Sequence, residues 1–173
     1  MSWMRPLLIA LLGLLGGMAC AAPAPVRSCQ LSAEEALRLA NAWRAEARQC
    51  GRQAFPAAPA LRWNEALQQS ALRFATELAA RDELSHQGLS SPTLRERVRE
   101  AGYLLRAVGE NLAAGPLGLD EVFSLWISSE EHCSNLMKPD FEELGLACVS
   151  GAGRYERFWV LHLAAPAGRR PSP

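Results

Sequence analysis

The 173-residue chain has no excess of either charge. Its 18 basic residues are matched by 18 acidic ones, so it offers neither a phosphate-binding surface nor a polyanionic tail, and nucleic acid is not expected as a partner. There is no internal repeat and no composition shift that would mark a second domain, which leaves one unit large enough to bury its own core. No two cysteines stand at the close spacing of a thiolate zinc site. Histidine is scarce, at three residues, and no acid-histidine-serine order can be read from spacing, so no nucleophile announces itself.

What is present begins with Arg5, an apolar run from Pro6 to Met18, and the small residues Ala19-Cys20-Ala21 ahead of Pro23 and Pro25. This is the pattern of a secretory signal peptide over residues 1–21, cleaved after Ala21, and the run is short for a membrane span. An uncut anchor and lipid attachment at Cys20 are the alternatives. Against the second, Gly17-Met18-Ala19 lacks the leucine usual three residues before a lipidated cysteine. The expected location is therefore outside the cytoplasm, periplasmic or extracellular. Removing the leader leaves Cys29, Cys50, Cys133 and Cys148, an even set that in an exported chain implies disulfides. Of the three possible connectivities, Cys29–Cys50 and Cys133–Cys148 are expected, because each pair joins the ends of one supersecondary unit.

Residues 22–30 form a tether. Ser32 with Glu35 is a capping-box signature, and Ala36, Ala40, Trp43 and Ala47 recur at helical spacing as far as Cys50-Gly51. Residues 51–60, with two prolines, read as a loop. A second helix carries Leu67, Ala71, Phe74, Ala75 and Leu78 on one stripe and gives out near Leu84-Ser85-His86. Ser91-Pro92 predicts a third helix start. The segment from Tyr103 to Leu112 reads as a strand or extended chain, and Asp120 opens a helix whose last turn runs into Ser128-Ser129-Glu130-Glu131-His132. Strands at 143–149 and 158–164, joined by a glycine-rich turn, close the domain, and the tail from residue 166 is expected to be disordered. Helices with a few late strands favour an α+β fold around a small antiparallel sheet.

The segment Val108-Gly109-Glu110-Asn111-Leu112 sets an acid among apolar residues, and a buried carboxylate must either be paired or face a cleft. Each candidate has an ordinary reading beside the functional one. His86 and His132 at element ends can be capping or surface groups, His162 can be a packed strand residue, and Glu110 can be a structural partner of arginines or backbone amides.

Taken in order, the motifs resemble the bacterial branch of the family of cysteine-rich secretory proteins, antigen 5 and plant pathogenesis-related proteins, the CAP or SCP domain. They are Leu61-Arg62-Trp63-Asn64, Ser85-His86-Gln87-Gly88, Arg97 with Gly102-Tyr103, Gly109-Glu110-Asn111-Leu112-Ala113, Trp126-Ile127-Ser128-Ser129 leading to His132 and Asn135, and Phe141 leading to Leu144-Gly145-Leu146. The resemblance spans residues 31–165 and implies an α-β-α sandwich with a central antiparallel sheet. It also implies a cleft in which His86, Glu110 and His132 match the family's first histidine, first acid and second histidine. The histidines of that cleft can hold a divalent metal such as zinc, so His86 and His132 are the candidate metal ligands. The family's second acid falls on Ser129, which with Glu131 is a further candidate for the cleft; Glu130 and Glu131 are the acids that could substitute, both read here as lying at a helix C-terminus, where they oppose the helix dipole.

These readings lead to an exported, disulfide-bonded binding or interaction module, monomeric, at or beyond the cell envelope. Its expected ligand is a lipid or other small amphipathic molecule, with an envelope protein or glycan as further partners. The rival is a metal-dependent hydrolase or peptidase using the two histidines and Glu110.

Overall fold

In the computed structural model, residues 29, 31–116 and 118–168 are described; the leader, Cys20 and the last five residues lie outside that set. Ser32 caps the first helix, α1 (Ala33–Arg44), by accepting from the Glu35 amide at 3.2 Å, as its sequence signature predicts. The helix stops at Arg44, short of the expected Cys50. The Arg44 side chain is wholly buried and donates to the carbonyls of Pro59, Leu136, Lys138 and Phe141, contacts far away in sequence that no local pattern reveals. Beyond it, β1 (Arg48–Cys50) turns through Gly51 at φ +57° into β2 (Gln53–Phe55), a hairpin where a loop was expected.

β3 (Arg62–Trp63) leads to α2 (Glu65–Arg81), capped by Asn64, with the expected stripe of Leu67, Ala71, Phe74, Ala75 and Leu78 buried. The third helix, α3 (Leu94–Glu100), is capped by Thr93 in a reciprocal box with Glu96, not by Ser91-Pro92. The Ser91 hydroxyl is engaged elsewhere, donating to Glu100 at 2.5 Å. The loosely patterned stretch before Gly115 is a ten-residue strand, β4 (Leu105–Ala114).

Next comes α4 (Leu119–Ser128), with Val122, Phe123 and Trp126 inward. It ends at Ser129, whose extended backbone (φ −95°, ψ 130°) begins a new helix, α5 (Glu130–Met137). Glu130 and Glu131 therefore occupy a first helical turn, where the dipole favours acids, and not the C-terminal turn the sequence suggested. β5 (Glu143–Ser150) and β6 (Arg157–Pro166) lie where strands were predicted, though Pro166 closes the strand rather than opening a disordered tail, and the Ala167 amide donates to Leu104.

The main sheet has the order β3-β5-β6-β4, antiparallel except for the short β3–β5 contact. One face carries Leu146, Cys148, Leu161 and Leu163 against α1, α4 and α5; the other carries Ala147, Val149 and Val160 against α2. Because both faces are covered, β5 and β6 are apolar along nearly their whole length. This is the expected α-β-α sandwich.

The disulfides differ from the sequence-local pairing. Cys29 is bonded to Cys148 and Cys50 to Cys133, with Cα separations of 5.2 and 5.5 Å. Between Cys29 and Cys50 stands α1, 12 residues and so about 18 Å long, which carries the two apart. The Cys29 amide instead donates to the Cys148 carbonyl, laying the N-terminal segment beside β5, while Cys133 on α5 meets the hairpin at Cys50.

Candidate functional site

The site is built on one cross-sheet row in which Glu110 of β4 pairs with His162 of β6, and His162 with Gly145 of β5. Residues paired across strands share a face, so His162 presents its ring to the Glu110 carboxylate, and its Nε2 donates to Oε2 at 2.9 Å. From α3, Arg97 Nη2 reaches both carboxylate oxygens at 3.0 and 2.9 Å. The same guanidinium stacks 3.7 Å above Phe74 of α2 and donates through Nη1 to the Ser91 carbonyl. The fourth contact comes from the loop after α2, where His86 Nδ1 donates to Oε1 at 2.8 Å.

Burial by itself would raise the Glu110 pKa, since the side chain is only 4% exposed, but the bonds from His162 and His86 and the Arg97 charge outweigh it. The net result is a carboxyl held down at about 2. A proton-transfer group works best with a pKa near the operating pH, so this carboxylate is a fixed anion and a poor general acid or base. His162 is fully buried, which pushes its pKa down; a neutral ring whose Nε2 faces Glu110 carries its proton there.

The next residue, Asn111, points to the opposite face. Its amide donates to the His132 carbonyl at 3.0 Å and its oxygen accepts from Asn135 at 2.8 Å, which sets the first turn of α5 over the strand. Gly109 leaves the room for this: a side chain there would run into Asn135 and Phe141.

His86, Glu110, Glu131 and His132 thus line one open cleft of about 470 Å³, with Phe55 and Lys138 also on its walls. Glu131, the weaker substitute for the family's second acid, faces the cleft, whereas Glu130 packs against Gly51. Ser129 serves as the α5 N-cap residue and is not among the lining residues. Burial and the charge of His86 push the His132 pKa down, and the Glu110 contact pulls that of His86 up.

Two residues at the heart of the site escaped sequence reading in that role. His162 reads as strand packing, yet in a strand buried on both faces an imidazole needs a partner, and that was the available signal. Arg97 appears in the motif series, but nothing local links it to Glu110, 13 residues on.

Both oxygens of Glu110 are already taken by protein donors, so Glu110 is not free to join His86 and His132 as a third metal ligand. Among the described residues, no three His, Cys, Asp or Glu side chains are grouped to hold a metal ion. The neighbouring hydroxyls are also engaged locally: Ser85 accepts from the Gln87 amide and Ser128 donates to the Leu125 carbonyl.

Comparison with known proteins gives a match to the cysteine-rich secretory protein family over residues 37–163. An uncharacterised protein of Bacillus subtilis, YkwD, is 27% identical over 100 residues, covering 58% of this chain and 39% of its own length. An extracellular protein containing an SCP domain from Bacillus anthracis superposes with a TM-score of 0.61 at 22% identity, over 76% of this chain and 39% of the other. An outer surface protein of Borrelia burgdorferi does so with a TM-score of 0.61 at 17% identity, over 81% of this chain and 99% of the other. The chain thus spans about two fifths of the length of both Bacillus proteins, and the two structural likenesses are likenesses of fold.

Proposed function

The chain belongs to the cysteine-rich secretory protein (CAP) family, and on that premise we propose that it is an exported binding module of the cell envelope or its exterior, whose cleft receives a lipid or another small amphipathic ligand. The observation that carries this reading is the state of Glu110. Its carboxylate is locked by Arg97, His162 and His86, so the floor of the cleft is preorganised and chemically quiet. Above it the cleft offers mixed chemistry, with imidazoles for a polar group and Phe55 for an apolar one. Export is supported by the two disulfides and by the extracellular and outer-surface descriptions of the two structural relatives. The competing class, a metal-dependent hydrolase on His86, His132 and Glu110, has less support because Glu110 has no free oxygen to offer.

The test is to incubate the purified protein with an envelope lipid extract and analyse what co-purifies. Enrichment of a lipid over an unrelated control domain, reduced by Phe55→Asp, is the expected result. Lipid no richer than the control, together with one zinc ion retained per chain and lost in His86→Ala/His132→Ala, would favour the hydrolase instead.

A further inference from the structure

The hairpin that walls the cleft is poorly equipped to stand alone. Its strands are three residues each, and an isolated two-stranded ribbon of that size is marginal in water. Gln49 and residues 51–54 are exposed, and the hairpin is held to α5 by Cys50 and Cys133, each 1% exposed, packed with Met137 and Phe55. The positions flanking this bond matter. Cys133 follows His132 and Glu131, on one wall of the cleft, and Cys50 begins the turn to Gln53 and Phe55, on the other. A single sulfur–sulfur bond therefore joins the two walls. The Cys29–Cys148 bond does nothing comparable: it fixes the N-terminal segment to β5, and the described residues next to these two cysteines do not line the cleft.

We propose that oxidation of Cys50 and Cys133 is the step that assembles the cleft, so that the binding-competent form arises only where a disulfide oxidant is at hand. In that step the two thiols give up two protons and two electrons to a protein or small-molecule disulfide, which leaves as two thiols as the Sγ–Sγ bond forms. Once made, the bond is shielded, and a thiolate reaches it only if the hairpin first lifts away. Assembly is therefore directional under native conditions. In the reduced chain the hairpin leaves α5 and takes Phe55 with it, opening the cleft on that side. The inference rests on reading this cleft as a ligand site, but the wall itself can be tested without a ligand.

The experiment is site-resolved amide hydrogen exchange on the wild-type protein, Cys50→Ser/Cys133→Ser and Cys29→Ser/Cys148→Ser. Exchange over residues 48–55 is expected to quicken by about 10-fold or more in the first variant while β5 and β6 keep their protection, and to stay at the wild-type rate in the second. Where a serine variant does not fold, Cys50→Ala/Cys133→Ala and Cys29→Ala/Cys148→Ala make the same exchange comparison without burying a hydroxyl. Unchanged protection of residues 48–55 without the Cys50–Cys133 bond overturns the proposal, and so does equal loosening of the whole sheet. Lipid retention by the wild type tests the ligand reading alone, and its failure leaves the exchange result standing.

Discussion

At the floor of the cleft the Glu110 side chain is 4% exposed and is held by three residues from three different elements, whereas His86, 2.8 Å above it, is 64% exposed and makes one of those contacts from a loop. The inner residues occupy both oxygens of Glu110, while Arg97 Nε and His162 Nδ1 are buried without a hydrogen-bond partner of their own among the described residues. The outer ones leave donors and an aromatic edge facing solvent. Fold and site thus share Glu110 but divide its surroundings: Arg97 and His162 hold it within the scaffold, while His86, His132 and Phe55 line the open cleft.

The sharpest way to break this contrast is at Arg97. Arg97→Met leaves an ionised Glu110 buried with only imidazole donors, and removal of one partner from a buried ion pair costs about 3–5 kcal/mol. Denaturant titration should show that loss, and Glu110→Gln in the same chain should restore part of it. A cost below about 1 kcal/mol would mean that the floor is no lock.

Acid gives a comparable but smaller effect. Glu110 is held at about 2 in the fold against an unperturbed 4.5, so its contribution is complete above about pH 4.5 and is lost as pH falls towards about 2. That contribution is of the order of 3 kcal/mol. Stability measured from pH 6 to pH 2 should fall along this limb in the wild type and run flatter in Glu110→Gln; parallel curves would assign the acid sensitivity elsewhere.

The smallest effect lies in the outer half. The Glu110 contact raises the pKa of His86, so its share of stability is present below the ordinary histidine value and fades as pH rises through the raised one. Burial and His86 lower the pKa of His132, which stays neutral until more acidic pH. Proton NMR should resolve two imidazole titrations on opposite sides of the ordinary histidine value of 6.5. In His86→Ala, the His132 titration should move up as its charged neighbour disappears. Coincident titrations would show that the two rings do not share a cleft.

Features set within one turn or one strand were legible before folding. The Ser32 cap, the α2 stripe and the apolar runs of β5 and β6 follow from hydrogen bonds and periodicities only a few residues long. Legibility failed where a distant group captured a local signal. Arg44 is drawn to carbonyls up to 97 residues away and ends α1 early, and Glu100 occupies Ser91, so the cap moves to Thr93. The break at Ser129, which turned His132 from a helix end into a helix beginning, goes with the Asn111 and Asn135 bonds that seat α5 on the sheet.

An α+β unit with a carboxylate at Glu110 in need of partners can be read from local pattern, because apolar periodicity and the cost of burying a charge belong to short stretches of chain. The identity of those partners cannot, since it comes from long-range packing. Arg97, His86 and His162 lie 13, 24 and 52 residues away, and the disulfides close spans of 119 and 83 residues. Such pairings depend on sheet register and on which faces the helices cover, and those are set by the packing of the whole domain, not by any short stretch of it.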